Sequence, residues 1–97
     1  MTIQTLKKQI IPTLKGEGAT KIAIFGSFAT GDFKKTSDID ILVKFKNETT
    51  LMKLANMKSR LEGKTGRKVD LLTYGGINPR LKKSILGEQK IIYEKAA

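Results

Sequence analysis

The sequence predicts an α/β (α+β) architecture, a small mixed sheet with helices packed mainly on one face. Three observations lead there. Apolar residues recur at helical spacing in three separated segments. Short apolar runs rich in β-branched residues lie between and after them, and glycines stand at most of the joints. At 97 residues the chain holds one compact domain, residues 1–97, and not two. With 39% hydrophobic and 29% charged residues it reads as a folded domain and not a disordered tail.

Ile3, Leu6, Ile10 and Leu14 give a helix over 2–15, with Pro12 a candidate bend and Gly16 and Gly18 ending it. Lys21-Ile-Ala-Ile-Phe25 reads as a buried strand that Gly26-Ser27 terminates. A loop or short helical turn then leads to Ser37. The next strand is Asp38-Ile-Asp-Ile-Leu-Val-Lys-Phe45, where alternation sends Asp38 and Asp40 to one face and Ile39 and Ile41 to the other. Leu51, Leu54, Ala55, Lys58 and Leu61 mark a second helix, closed by Gly63. Lys68–Tyr74 is a third strand, bounded by Gly75-Gly76. Asn78 as N-cap and Pro79 at the first position open a last helix that stops at Gly87. Ile91-Ile-Tyr93 is placed as a short terminal strand.

Composition removes several kinds of chemistry. Without cysteine there is no disulfide and no thiolate metal site, and without histidine the usual transition-metal ligand and neutral-pH base are missing. Catalysis would have to use carboxylates, hydroxyls, lysines and hard cations. No apolar run has the length of a signal peptide core or a membrane span, so a cytoplasmic protein is expected. The formal charge of +10 favours polyanions, but the lysines are spread along the chain and form no basic tail.

The informative stretch is Gly26-Ser27 followed, after ten residues, by Asp38-Ile-Asp40. Two carboxylates on one strand face, with α-carbons roughly 6.5 to 7 Å apart, repel each other unless a cation lies between them. Oxygen ligands alone favour Mg²⁺ or Mn²⁺, and a pair of such ions can activate an attacking oxygen and neutralise a leaving pyrophosphate. Asp70, flanked by the inward Val69 and Leu71, is the candidate third carboxylate. Gly26 lets the backbone pass close to a phosphate, and the Ser27 hydroxyl with nearby N–H groups can bind its oxygens.

These residues resemble the minimal nucleotidyltransferases of the DNA polymerase β superfamily, which include the antitoxin half of HEPN/nucleotidyltransferase pairs. Gly26-Ser27 with Asp38-Ile-Asp40 matches the signature, Val69-Asp70-Leu-Leu matches the strand of the third carboxylate, and Ile77 through Tyr93 resembles the terminal helix and strand. The resemblance covers nearly the whole chain. It implies a polymerase β-like nucleotidyltransferase fold and Mg²⁺-dependent transfer of AMP from ATP to a hydroxyl, with two ions and with Mn²⁺ as an alternative. In the antitoxin branch the acceptor is a tyrosine of a HEPN ribonuclease toxin, held in a hetero-oligomer. By the same resemblance Gly26 and Ser27 contact the triphosphate, Asp38 and Asp40 ligate both metals, and Asp70 is ligand and base.

One departure stands out: many relatives carry arginine after the alanine of this segment, and this chain has Thr30, with Lys34 and Lys35 as candidate substitutes. Phe25, Phe28 and Phe33 read as core more readily than as base-stacking residues, Tyr74 as a strand-edge residue, and Lys44 and Lys46 as an exposed strand end. Two other readings remain open on the sequence: an antitoxin that acts by contact alone, and a small basic nucleic-acid-binding protein.

Overall fold

The structure, a computed structural model, describes residues 2–32, 34 and 36–96. Helix α1 (Ile3–Gly16) starts at Thr2, whose hydroxyl accepts the Thr5 N–H, and buries Leu6, Ile10 and Leu14 at helical spacing. Strand β1 (Ala19–Phe25) leads through the short helix α2 (Ser27–Thr30) towards strand β2 (Ile39–Phe45). Helix α3 (Leu51–Thr65), capped by Thr50, returns the chain to strand β3 (Val69–Thr73). A single 3-10 turn (Tyr74–Gly76) precedes α4 (Pro79–Glu88), with Asn78 capping and Pro79 at its start, and β4 (Lys90–Glu94) ends the fold.

The strands lie in the order β3-β2-β1-β4. β1 pairs antiparallel with β2 and β4, whereas β2 and β3 run parallel, so the sheet is mixed. A parallel pair needs a crossover connection, and α3 provides it. Packing splits by strand parity. Ile22, Ile24, Ile39, Ile41, Val43 and Val69 meet α1 and α3 in the main core, which Phe28 of α2 also enters. On the other face Ala23, Phe25 and Leu42 form a smaller core with Ile77, over which Ile85 and Leu86 of α4 pack. The helices therefore favour one face, as the apolar patterning predicts.

Several boundaries move by a residue or two, and two of the shifts matter most. α3 does not stop at Gly63 but runs to Thr65 and turns at Gly66, which adopts φ 69° and donates to Glu62 O. An exposed mid-helix glycine costs only about 1 kcal/mol, and the turn beyond it buries Thr65 against the core side. Asp38 lies just ahead of β2 and not within it. Among the described residues no helix is long and apolar enough to cross a membrane.

Candidate active site

The site begins where β1 stops. Gly26 takes φ 69° and ψ −148°, a conformation that residues with a side chain rarely adopt. A Cβ at this position would overlap Asp40 Oδ2, so the absence of a side chain also leaves room for that carboxylate. Gly26 O accepts the N–H groups of Ala29 and Thr30 at 3.1 and 3.2 Å, which winds α2 tightly around the turn. Ser27 opens α2, where backbone N–H groups lie outside the helix's own ladder.

Asp40 stands opposite Phe25 on β1 and opposite Asp70 on β3. Neighbouring strands are about 4.8 Å apart, so the parallel register sets two carboxylates side by side on the face that α4 only partly covers. Asp38, two residues before Asp40, adds its charge from the same end of the sheet. Asp40 is half-buried while Asp38 and Asp70 are exposed. Burial, and then the charges of Asp70 and Asp38, raise the Asp40 pKa from its ordinary 3.8 to about 6.

Among the described residues none of these three carboxylates has an ion-pair partner, although the protein carries a net charge of +10. That uncompensated negative charge fits a divalent cation. Among the described residues no three His, Cys, Asp or Glu side chains form a group that could by itself hold a metal ion. An open set of this kind suits Mg²⁺, which commonly takes one or two carboxylates and completes its shell with water and substrate phosphate.

The structure thus brings Gly26, Ser27, Asp38, Asp40 and Asp70 to one end of the sheet and leaves other candidates elsewhere. Lys44 and Lys46 lie at the opposite end of β2, Lys44 about 13 Å from Asp40 by strand rise. There they line a cleft of about 780 Å³ with Thr20, Lys21, Tyr74 and Lys95. Phe28 is 1% exposed in the main core and Phe25 9% in the smaller one, so both are packing residues. Tyr74 leaves β3, and its hydroxyl donates to Gln89 Oε1 at 2.6 Å. Thr30 is exposed, and its Oγ1 bonds back along its own segment, 3.4 Å from Gly26 O and 3.3 Å from Asp32 Oδ2. Phe33 and Lys35 lie outside the described residues. Sequence reasoning passed over Arg67, whose guanidinium reaches the Lys34 and Ser37 carbonyls. The only hint was an arginine three residues ahead of Asp70.

A family model described as polymerase beta nucleotidyltransferase matches residues 8–97. The chain belongs to this family. A Methanocaldococcus jannaschii nucleotidyltransferase, provisionally named a protein adenylyltransferase, is 47% identical over 88 residues, 91% of this chain and 95% of that one. Among solved structures, one provisionally described as a minimal nucleotidyltransferase is 35% identical, with a TM-score of 0.76 over 93% of this chain and 95% of that one. The fold is also that of a chain from a complex described as tri-AMPylated Shewanella oneidensis HEPN toxin with MNT antitoxin. There the TM-score is 0.78 at 20% identity, over 95% of this chain and 72% of that one.

Proposed function

We propose that this nucleotidyltransferase is a protein adenylyltransferase that moves AMP from ATP to a tyrosine hydroxyl of a HEPN toxin and thereby acts as its antitoxin. The observation that carries the reading is the register of Asp40 against Asp70, beside the Gly26 turn and without a counter-cation among the described residues. Asp38, Asp40 and Asp70 would hold Mg²⁺, or Mn²⁺, with the triphosphate. When bound, such ions neutralise the triphosphate and the departing pyrophosphate. Gly26 admits the phosphates close to the backbone, and Ser27 donates to their oxygens. Asp70, the more exposed of the β-strand pair, accepts the proton of the incoming hydroxyl. The hydroxyl oxygen forms a bond to the α-phosphorus, and the bond to the α–β bridging oxygen breaks with release of pyrophosphate.

The name carried by the M. jannaschii relative supports a protein acceptor. The HEPN partner follows from the sequence resemblance, and the Shewanella complex is an instance of this fold beside such a toxin. The chain, Mg²⁺, labelled ATP and a HEPN protein encoded beside it should give a labelled toxin where such a neighbour is found, and Asp38→Ala or Asp40→Ala should give none while remaining folded. Equal labelling by the double alanine variant would overturn the mechanism. Thr30 favours a second reading: its short hydroxyl is spent on the α2 turn where many relatives place a cation. If the protein silences its toxin without labelling it, contact alone is the mode of action.

A further inference from the structure

Asp38 is held differently from its two companions. Asp40 and Asp70 sit within strands, where ladder bonds fix the backbone. Asp38 precedes β2, is exposed, and lies beyond the β1 ladder, whose last pair on this strand is Phe25 with Asp40. Its direction depends on what holds the chain on either side of it.

On the upstream side, Lys34 and Ser37 close a turn: the Lys34 N–H donates to Ser37 Oγ at 2.7 Å and the Ser37 N–H to Lys34 O at 3.0 Å. Arg67 grips this turn from outside. Its Nη1 donates to Lys34 O at 2.8 Å and to Ser37 O at 3.3 Å, and the second of these carbonyls belongs to the peptide that joins Ser37 to Asp38. The guanidinium lies over the Phe28 ring, 5.2 Å from its centroid. Phe28 is anchored in the main core and directly follows Ser27. On the downstream side the Ile39 N–H donates to Lys68 O at 2.8 Å. The Val69 N–H donates to Glu62 Oε2 at 3.0 Å, tying this corner to α3.

We infer that Arg67 is a positioning residue that sets the Ser37–Asp38 peptide, and with it the Asp38 carboxylate, relative to the Gly26-Ser27 turn. This rests on the reading of Asp38 as a ligand of nucleotide-bound cations. Arginine suits the task because one planar group donates sideways to carbonyls while its face stacks on an aromatic ring. Lysine would keep the charge and donors for the carbonyls, on a flexible stem and without the stacked plane.

Arg67→Ala and Arg67→Lys in the full chain test the inference with two independent readouts. Without metal or nucleotide, hydrogen exchange at the Lys34 and Ser37 amides should accelerate at least about tenfold in Arg67→Ala, while the Ile24 amide in the sheet centre keeps its protection. With ATP, the Mg²⁺ concentration for half-maximal transfer should rise, and kcat should fall by about ten- to a hundredfold, as expected for a reacting group displaced by around an ångström. Low-millimolar guanidinium ion should restore part of that rate to Arg67→Ala, and Arg67→Lys should fall between it and the parent. Unchanged exchange at Lys34 and Ser37 would overturn the inference. So would a loss of transfer that tracks a uniform loss of protection with the Mg²⁺ requirement unaltered. If the parent transfers no AMP, the functional reading fails on its own, and the exchange result still decides the role of Arg67.

Discussion

The two faces of β2 behave as different molecules. Towards α1 and α3, Ile39, Ile41 and Val43 are all 0% exposed and meet one continuous hydrocarbon core. Towards the other side, the interleaved Asp40, Leu42 and Lys44 enter three separate settings: an acidic strand end, the small α4 core and a lysine-lined cleft. One face is optimised for burial, and the other gives up burial at both ends to place charge. The difference teaches that stability and function can be carried by alternate residues of a single strand, and that substitution should separate them.

The sharpest separation is expected at Asp40. Asp40→Asn keeps the size and the strand but removes a charge that would bind cations, so AMP transfer should drop by roughly a thousandfold or more. The circular dichroism spectrum should not change. A variant that retains a tenth of the parent rate would place the chemistry elsewhere. Ile41→Ala, next along the strand and on the opposite face, should do the reverse. It removes wholly buried volume and should cost about 2–5 kcal/mol in urea unfolding. Where the variant remains folded, transfer should proceed near the parent rate. A large rate loss in the folded fraction would show that the two faces are coupled.

Gly26→Ala tests the one place where backbone and site constraints coincide. This glycine-only backbone conformation costs about 1–3 kcal/mol for a residue with Cβ, and the methyl group must also displace the Asp40 carboxylate. Stability and transfer should therefore fall together, the rate by about a hundredfold. If Gly26→Ala destabilised the protein but left the rate intact, Gly26 would be a turn residue without a part in the site.

Much of this contrast is legible in the sequence. Alternation in Ile39-Asp-Ile and in Val69-Asp-Leu assigns faces from residue order alone, because strand side chains must alternate, whereas Asp38 lies ahead of the strand and escapes that rule. Phe28 reads as core for the same kind of reason, an aromatic beside a buried strand. The register of Asp40 against Asp70 is not legible, since a parallel pair joined through a helix has no turn to set its alignment. Gly63 misleads because a glycine signals a helix end only where the backbone needs it, and that need falls at Gly66. Arg67 is invisible because the carbonyls it grips lie 30 and 33 residues away in the chain, across a loop closure that no local pattern encodes.

The smallest effect is the most specific test of the acidic face, because it requires no partner protein. Folding raises the Asp40 pKa from 3.8 to about 6, so between these values the folded chain holds a proton that the unfolded chain has released. The Asp40 contribution to the stability of the metal-free protein should then decline as pH rises from about 4 to about 6, with the full penalty present above that range. A shift of this size corresponds to roughly 3 kcal/mol if undamped, and solvent screening of a half-buried group reduces it to about 1–2 kcal/mol. In thermal melts without metal at pH 7.5, Asp40→Asn should therefore raise the Tm by roughly 5–10 °C, and it should flatten the decline between pH 4 and 6. Mg²⁺ with ATP should invert the order, stabilising the parent by mass action and leaving Asp40→Asn unmoved. Identical pH profiles for the two proteins would mean that neither burial nor the neighbouring carboxylates raise the Asp40 pKa, and the acidic end of the sheet would lose its claim to hold a cation.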